Sequence, residues 1–353
     1  MSGRVLVTGI SGFIASHVAL ALLYAGYTVR GSLRDPSRAG AVAAMLARAG
    51  ADTGRLEFVS LDLSDDAGWH EAARGCRFVQ HVASPISTRL PRDRNEMIVP
   101  AVEGARRAIT AALDTQVERI VMTSSVSAVA FGHPAERTEP YSDADWSILT
   151  GGDIDTYSES KTRAELEAWS LVEAAGRRHD FVAINPSIVL GPLLNDDTGV
   201  SAVVIQQLMN GLPLIPRMTL NFVDVRDIAA LQVAAMTHPR AGGHRYLASA
   251  PPVGTRDLVE GLRSAFPDYS RRLPRLDAPD WAVRLYAMVN ADARGAVMAG
   301  LGRIRVFETG PAQALLGRPF MTARVAAAAT AQSLIDYGLV RRPSSRAAPE
   351  KRG

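Results

Sequence analysis

The run Val5-Leu6-Val7-Thr8-Gly9-Ile10-Ser11-Gly12-Phe13-Ile14-Ala15 constrains this chain more than any other stretch. A short apolar strand pattern passes through a glycine-rich turn straight into a helical pattern. Gly9 and Gly12 let the backbone turn sharply, and a helix starting there presents unpaired amides to an anion. The turn fits a pyrophosphate, with Ser11, Phe13 and Ile14 beside the two glycines. Ala15 stands where the usual dinucleotide fingerprint has its third glycine, but the motif lies at the first strand-to-helix junction, where such a fingerprint must lie.

Downstream the same alternation continues. Strand patterns at 4–7, 27–33, 56–61, 78–82, 119–123 and 180–185 alternate with helical patterns at 14–25, 38–49, 97–113 and 157–175. This order predicts βαβ units and an α/β fold, a Rossmann-type doubly wound parallel sheet. After Pro186, Gly191-Pro192, Asn210-Gly211 and Leu212-Pro213 interrupt the pattern before a last β–α unit at 221–237 and a strand at 244–247. A smaller C-terminal substrate lobe interleaved with the first is expected. On this reading residues 1–189 and 218–248 bind the dinucleotide, 190–217 and 249–340 form the substrate lobe, and 341–353 are a disordered tail.

Composition narrows the function classes. With 353 residues, 47% of them hydrophobic, the chain can bury a full core. A net charge of +3 with scattered basic residues argues against a nucleic-acid partner. The longest apolar stretch, 281–301, is broken by Arg284, Asp292 and Arg294, so no membrane span is expected. The lone Cys76 cannot form an internal bridge, and a strand pattern beginning at Arg4 leaves no room for a signal peptide, which together predict a cytoplasmic protein. No zinc-ligand spacing occurs, so no metal is expected.

Cofactor choice is read from the end of the second strand. Enzymes using NAD usually carry an acidic residue there for the ribose 2′-hydroxyl. Here the strand ends Ser32-Leu33-Arg34, and the forks of Arg34 and Arg38 suit a 2′-phosphate, which favours NADP (NADPH). Asp35 weakens that preference if it points at the ribose.

Thr123-Ser124-Ser125 follows the fifth strand, at the sheet end where ligands of such folds bind. Tyr157 and Lys161, four apart, share one helix face. Lys161 stands out because only two lysines, Lys161 and Lys351, occur among 39 basic residues. Hydride delivery to a carbonyl carbon leaves an oxyanion that needs a proton and a hydrogen-bond donor. Tyr157 can give the proton, Ser125 can hold the oxygen and Lys161 can stabilise the phenolate. Cys76 and His81 look like a thiol–imidazole pair but read better as packing residues.

These residues, together with Thr28-Val29-Arg30-Gly31-Ser32-Leu33-Arg34, Asp62-Leu63, His81-Val82-Ala83-Ser84-Pro85, Asn185-Pro186, Gly191-Pro192 and Phe222-Val223-Asp224-Val225-Arg226-Asp227, carry a resemblance. The chain resembles the extended short-chain dehydrogenase/reductase superfamily, in its dihydroflavonol reductase, cinnamoyl-CoA reductase and aldehyde/ketone reductase group, from Met1 to about Leu247. The resemblance implies that Asp62 and Leu63 flank an adenine, and that Val82, Ala83 and Ser84 line the path to the nicotinamide ribose. It also implies that Pro186, Ser187 and Ile188 lie beside the carboxamide, that Thr123 and Ser124 lie near the cofactor, and that Lys161 holds the nicotinamide ribose.

The same resemblance places the substrate against Val126, Ala130, Phe131, Leu190 and Asn221, with Met209 as a filler from a helix at 203–209. Dihydroflavonol reductases carry an asparagine at the position of Ala130 and a glutamine at that of Asn221. The implied substrate is therefore a small apolar carbonyl compound, reduced to an alcohol with NADPH. A nucleotide-sugar epimerase or dehydratase and a non-catalytic NADP-sensing protein are the alternatives. The sequence leaves monomer or homodimer open.

Overall fold

The computed structural model describes residues 3–85, 93–289 and 301–341. Its centre is a seven-stranded sheet built from β1 (Arg4–Val7), β2 (Thr28–Leu33), β3 (Leu56–Ser60), β4 (Phe78–His81), β5 (Arg119–Thr123), β6 (Phe181–Pro186) and β11 (Arg245–Ala248). The order is β11-β6-β5-β4-β1-β2-β3, and every pairing is parallel. The chain reverses direction across the sheet between β1 and β4, the switch point at which such sheets open a crevice beyond their C-terminal ends.

The strands alternate their side chains between two apolar layers, as the pleat requires. Val5 and Val7 of β1, Val121 of β5, and Val182 and Ile184 of β6 pack with helices α1 (Phe13–Tyr24), α2 (Ala39–Arg48) and α7 (Val225–Thr237). Leu6, Ile120, Met122, Phe181 and Ala183 face the other way, against α3 (Trp69–Ala73), α4 (Asn95–Asp114) and α5 (Thr156–Ala174). A fully buried Leu, Val or Phe in these layers contributes about 1.5–3 kcal/mol relative to exposure. Strands buried on both faces explain the near-continuous apolar runs in the sequence.

The expected strands form within a residue or so of their sequence bounds. The sixth starts at Phe181 rather than 180 because residues Arg178–Asp180 form a 3-10 turn, and it runs through Pro186, where β11 supplies the partner Ala248.

A third apolar cluster lies apart from the sheet. It joins β7 (Ile188–Leu190) and β10 (Phe222–Asp224), which pair in parallel, with α6 (Ala202–Asn210), α8 (Thr255–Ala265) and the helix Ala323–Asp336. Short pairings of β8 (Ile215–Pro216) with β13 (Asp277–Ala278) and of β9 (Thr219–Leu220) with β12 (Val253–Gly254) fill in around it. Residues 301–309 run as a strap across both parts: Leu301 bridges Met218, and Phe307 bridges Tyr141.

Of the expected tail, residues 342–353 lie outside the described residues, as do residues 290–300 of the expected substrate lobe. Among the described residues no helix is long and apolar enough to cross a membrane.

Candidate active site

Gly9 sits at φ +67°, in the left-handed region that favours glycine, and a Cβ there would meet Ala83 Cβ at 3.0 Å and Ala83 Cα at 3.2 Å. The turn after β1 therefore lies directly against the chain leaving β4. Thr8 locks the two together, its hydroxyl accepting from the amides of Val82 (3.0 Å) and Ala83 (2.9 Å). Gly31 allows a second close approach, since a Cβ there would run into the Ile10 side chain. Helix α1 starts at Phe13 with no side-chain cap and no acidic residue in its first turn. Its leading amides and dipole are left for an anion, so the turn fits a pyrophosphate. Ala15 is buried in the core at the third-glycine position.

At the end of β2, Arg34 and Arg38 are exposed. Asp35 is engaged locally. Its Oδ1 accepts from the Ser37 amide at 3.0 Å and caps the following 3-10 turn. Asp62 behaves likewise, accepting from Ser64 N at 2.8 Å and Ser64 Oγ at 2.6 Å, and these bonds hold its carboxyl below the usual range. What this edge offers a ligand is cationic, which fits a 2′-phosphate.

Ser125, Tyr157 and Lys161 come together at the C-terminal end of the sheet. The Ser125 side chain lies beside the Tyr157 phenol, close enough to offset part of the effect of burial on it. Ser125 is buried and caps the 3-10 turn Val126–Ala128, its Oγ accepting from Ser127 N at 3.0 Å. Helix α5 begins one residue before Tyr157, capped by Asp155, so Tyr157 lies in its first turn with Lys161 one turn on. Lys161 Nζ is 5.8 Å from the Tyr157 ring centroid. Burial lowers the Lys161 ammonium to about 8, opposed by the negative charge of Glu165, and burial pushes the Tyr157 phenol up.

His81 lies near this cation; burial and then the Lys161 charge lower it to about 3, so it is neutral and bonds Thr8 Oγ1 at 3.1 Å. Cys76 is buried, its thiol pushed up by burial and donating to Ala72 O at 3.4 Å. Among the described residues the two make no catalytic pair.

Several expected site residues have their side chains engaged within the protein. Thr123 Oγ1 accepts from Gln232 Nε2 at 2.7 Å, and Ser124 Oγ donates to Glu165 at 2.5 Å, so both hydroxyls are tied into the protein. Leu190 and Met209 do not line an open pocket. Both are fully buried in the third apolar cluster, because the β7/β10 pair and α6 turn them inward. Ala130 is also buried, packed with Val129, Tyr141, Leu247 and Phe307, and only Val126 and Phe131 beside it are partly open. Asn221 directs its amide to Arg305 O at 3.0 Å and so holds the strap. Ser187 Oγ, beside Pro186, is buried without a partner, a donor for a bound amide or phosphate. Sequence reasoning missed Glu165 and Arg305. Glu165 was legible in principle as the next residue on the Tyr157–Lys161 stride of four, whereas Arg305 carried no local signal.

Residues 5–248 match the model of the NAD dependent epimerase/dehydratase family. The chain belongs to that family. Its relatives agree with the extended short-chain dehydrogenase/reductase resemblance. The chain is 32% identical to tetraketide alpha-pyrone reductase 2 of Arabidopsis thaliana over 273 residues, 75% of this chain and 83% of that protein. It is 33% identical to cinnamoyl-CoA reductase CAD2 of Medicago truncatula over 282 residues, 78% of this chain and 84% of the other. Among solved structures, yeast methylglyoxal/isovaleraldehyde reductase Gre2 complexed with NADPH superposes with a TM-score of 0.79 at 24% identity, covering 96% of this chain and all of that one. The fold is thus shared with that reductase over nearly the whole chain.

Proposed function

We propose that this chain is an NADPH-dependent carbonyl reductase that converts a ketone or aldehyde to an alcohol. The observation that carries the reading is the meeting of Ser125 and Tyr157, from different elements, with the buried Lys161 one helical turn below. Curated relatives are reductases by name, and the Gre2 structure holds NADPH. The glycine turn, the uncapped α1 and the cationic edge at Arg34 and Arg38 would hold that cofactor, with Ser187 and Lys161 beside its nicotinamide end.

Bound NADPH supplies the hydride. The chain does the rest. A carbonyl oxygen within about 2.6–3.2 Å of both hydroxyls accepts a hydrogen bond from Ser125 and takes its proton from Tyr157. Burial keeps Tyr157 protonated before the reaction, as a proton donor must be. The phenolate left behind has an unperturbed pKa near 10, and stabilising it at neutral pH takes roughly 4 kcal/mol. The Lys161 cation provides part of that through the low-dielectric interior.

The substrate lobe of residues 190–217 and 249–340 is supported by its separate apolar cluster, and its contact with the cofactor helix by Phe13, which packs against both clusters. Ala130, with Val129 and Phe307 around it, and Asn221, engaged with the strap, leave few polar groups for a polyhydroxylated substrate. Small aryl or alkyl ketones, diketones and aldehydes suit such a site better than dihydroflavonols. The single buried thiol suits a reducing compartment, which supports a cytoplasmic location.

An absorbance assay of NADPH consumption over a ketone and aldehyde panel tests the reading. Turnover on simple ketones supports it. Activity on a nucleotide sugar with no net cofactor consumption would replace it with an epimerase.

A further inference from the structure

Glu165 continues the face of α5 that carries Tyr157 and Lys161, one turn beyond the lysine, and its side chain is fully buried. Its carboxylate gathers donors from three strand ends. Ser124 Oγ, just after β5, donates at 2.5 Å; Asn185 Nδ2, in β6, at 2.7 Å; and Arg245 Nε, in β11, at 2.6 Å. Trp169 Nε1 on the same helix adds a contact at 3.3 Å, and Arg245 Nη2 a longer one at 3.4 Å.

Two of these partners reach onward to the reacting groups. Asn185 Nδ2 also donates to Ser125 O at 3.1 Å, fixing the backbone of the serine that lies beside Tyr157. Arg245 Nη1 donates to Asp143 O at 2.9 Å and Asp145 O at 2.5 Å, and Arg245 Cζ lies 3.7 Å from the Trp146 ring centroid, anchoring the segment that leads into α5. Ser125 and Tyr157 stand on different elements, and one side-chain connection between those elements runs through Asn185 and Glu165.

A buried ion pair is a weak source of stability, because well-packed apolar groups of similar volume serve as well or better. Geometry is a better reason for one here. We propose that Glu165, paired with Arg245, is a positioning residue that sets the separation of the Ser125 and Tyr157 hydroxyls. This rests on the carbonyl-reductase reading for its kinetic consequence. Its structural consequence stands by itself.

The test uses two variants of the full chain. Glu165→Gln removes the charge and keeps the shape, and Glu165→Leu/Arg245→Met replaces the pair with apolar groups, so that no buried charge is stranded. The double variant is expected to melt at or above the wild-type temperature. Its kcat on a simple ketone should fall roughly 10- to 100-fold, because misplacing reacting groups by about 1 Å has an effect of that order. The Kd for NADPH should stay within about twofold, and the solvent deuterium isotope effect on kcat should rise as proton transfer becomes slower. In a crystal structure of the double variant the Ser125 and Tyr157 hydroxyls should lie farther apart than in the wild-type protein. An unchanged separation of the two hydroxyls, an unchanged kcat, or a double variant that does not fold would each overturn the proposal. A wild-type protein that reduces no carbonyl would sink the proposed function alone, since the hydroxyl separation still decides the role of Glu165.

Discussion

Lys161 sets the pH behaviour of the site. Its ammonium is lowered to about 8 by burial, with Glu165 opposing the shift and the neutral His81 nearby adding no charge. A base with a lowered pKa is protonated below that value and neutral above it, so the cation that stabilises the Tyr157 phenolate is lost as pH rises through about 8. The kcat for reduction is therefore expected to fall with a one-proton slope on that alkaline side. Lys161→Arg, whose guanidinium does not titrate there, should remove the break in a pH–rate profile even if the plateau is lower. Tyr157→Phe should lower kcat by about 10²- to 10⁴-fold, the range of general acid catalysis, with NADPH titration nearly unchanged. Wild-type turnover in that variant would end the proton-donor role. Arg34→Ala is expected to raise the Kd for NADPH by roughly tenfold or more, about 1.4 kcal/mol, and to leave that for NADH unaffected. Equal effects on the two cofactors would show that the exposed guanidinium does not meet the 2′-phosphate.

Between residues and the whole chain, the strand-turn-helix unit of β1 and α1 is where the sequence was most legible. Its geometry depends on Gly9, whose φ of +67° and contact with the Ala83 backbone leave no room for a side chain. An L-residue in the left-handed region costs about 1–2 kcal/mol, before the Ala83 contact is relieved. Gly9→Ala should thus lower the denaturation midpoint and weaken NADPH binding together, a joint loss that calorimetry and cofactor titration can read on one preparation. Helix α5 was also legible, since the stride of four from Tyr157 to Lys161 is a local property of any helix. The third apolar cluster was not. Leu190 and Met209 look like pocket walls in a sequence, because an apolar residue beside a glycine–proline break reads the same whether it faces a ligand or a core. The pairing of β7 with β10, residues far apart in the chain, decides that Leu190 turns inward.

Across the whole molecule, the strap at 301–309 joins the sheet to the C-terminal cluster. Asp153 fastens it, accepting from Gly132 N at 2.6 Å, from Arg305 Nη2 at 3.0 Å and from Arg303. Arg305 continues to Ala130 O at 3.2 Å and lies over the Phe131 ring at 4.4 Å, and its own carbonyl is held by Asn221. Asp153 is 11% exposed and Arg305 12%, so the pair is largely shielded from water. Removing one partner of a shielded pair strands the other, at about 3–5 kcal/mol. Asp153→Ala should therefore lower unfolding stability by an amount of that order in a denaturant titration. Because the strap borders Phe131 and Asn221, KM for the carbonyl substrate should rise while Kd for NADPH holds. A stability loss with no change in KM would place the strap outside the substrate site.

What the sequence by itself determined is what local rules encode. The glycine turn follows from the sterics of positive φ, the strand order of apolar runs from the pleat, and the Tyr157–Lys161 pair from helical spacing, each readable within a dozen residues. The position of Ser125 after β5 was equally local. The tertiary structure decided everything that depends on distant partners. Glu165 meets Asn185, Ser124 and Arg245 across separations of 20, 41 and 80 residues, and Arg305 reaches Ala130 across 175. A buried charge must find its counter-charge and donors wherever the fold brings them, and no periodicity in the chain records which ones those are.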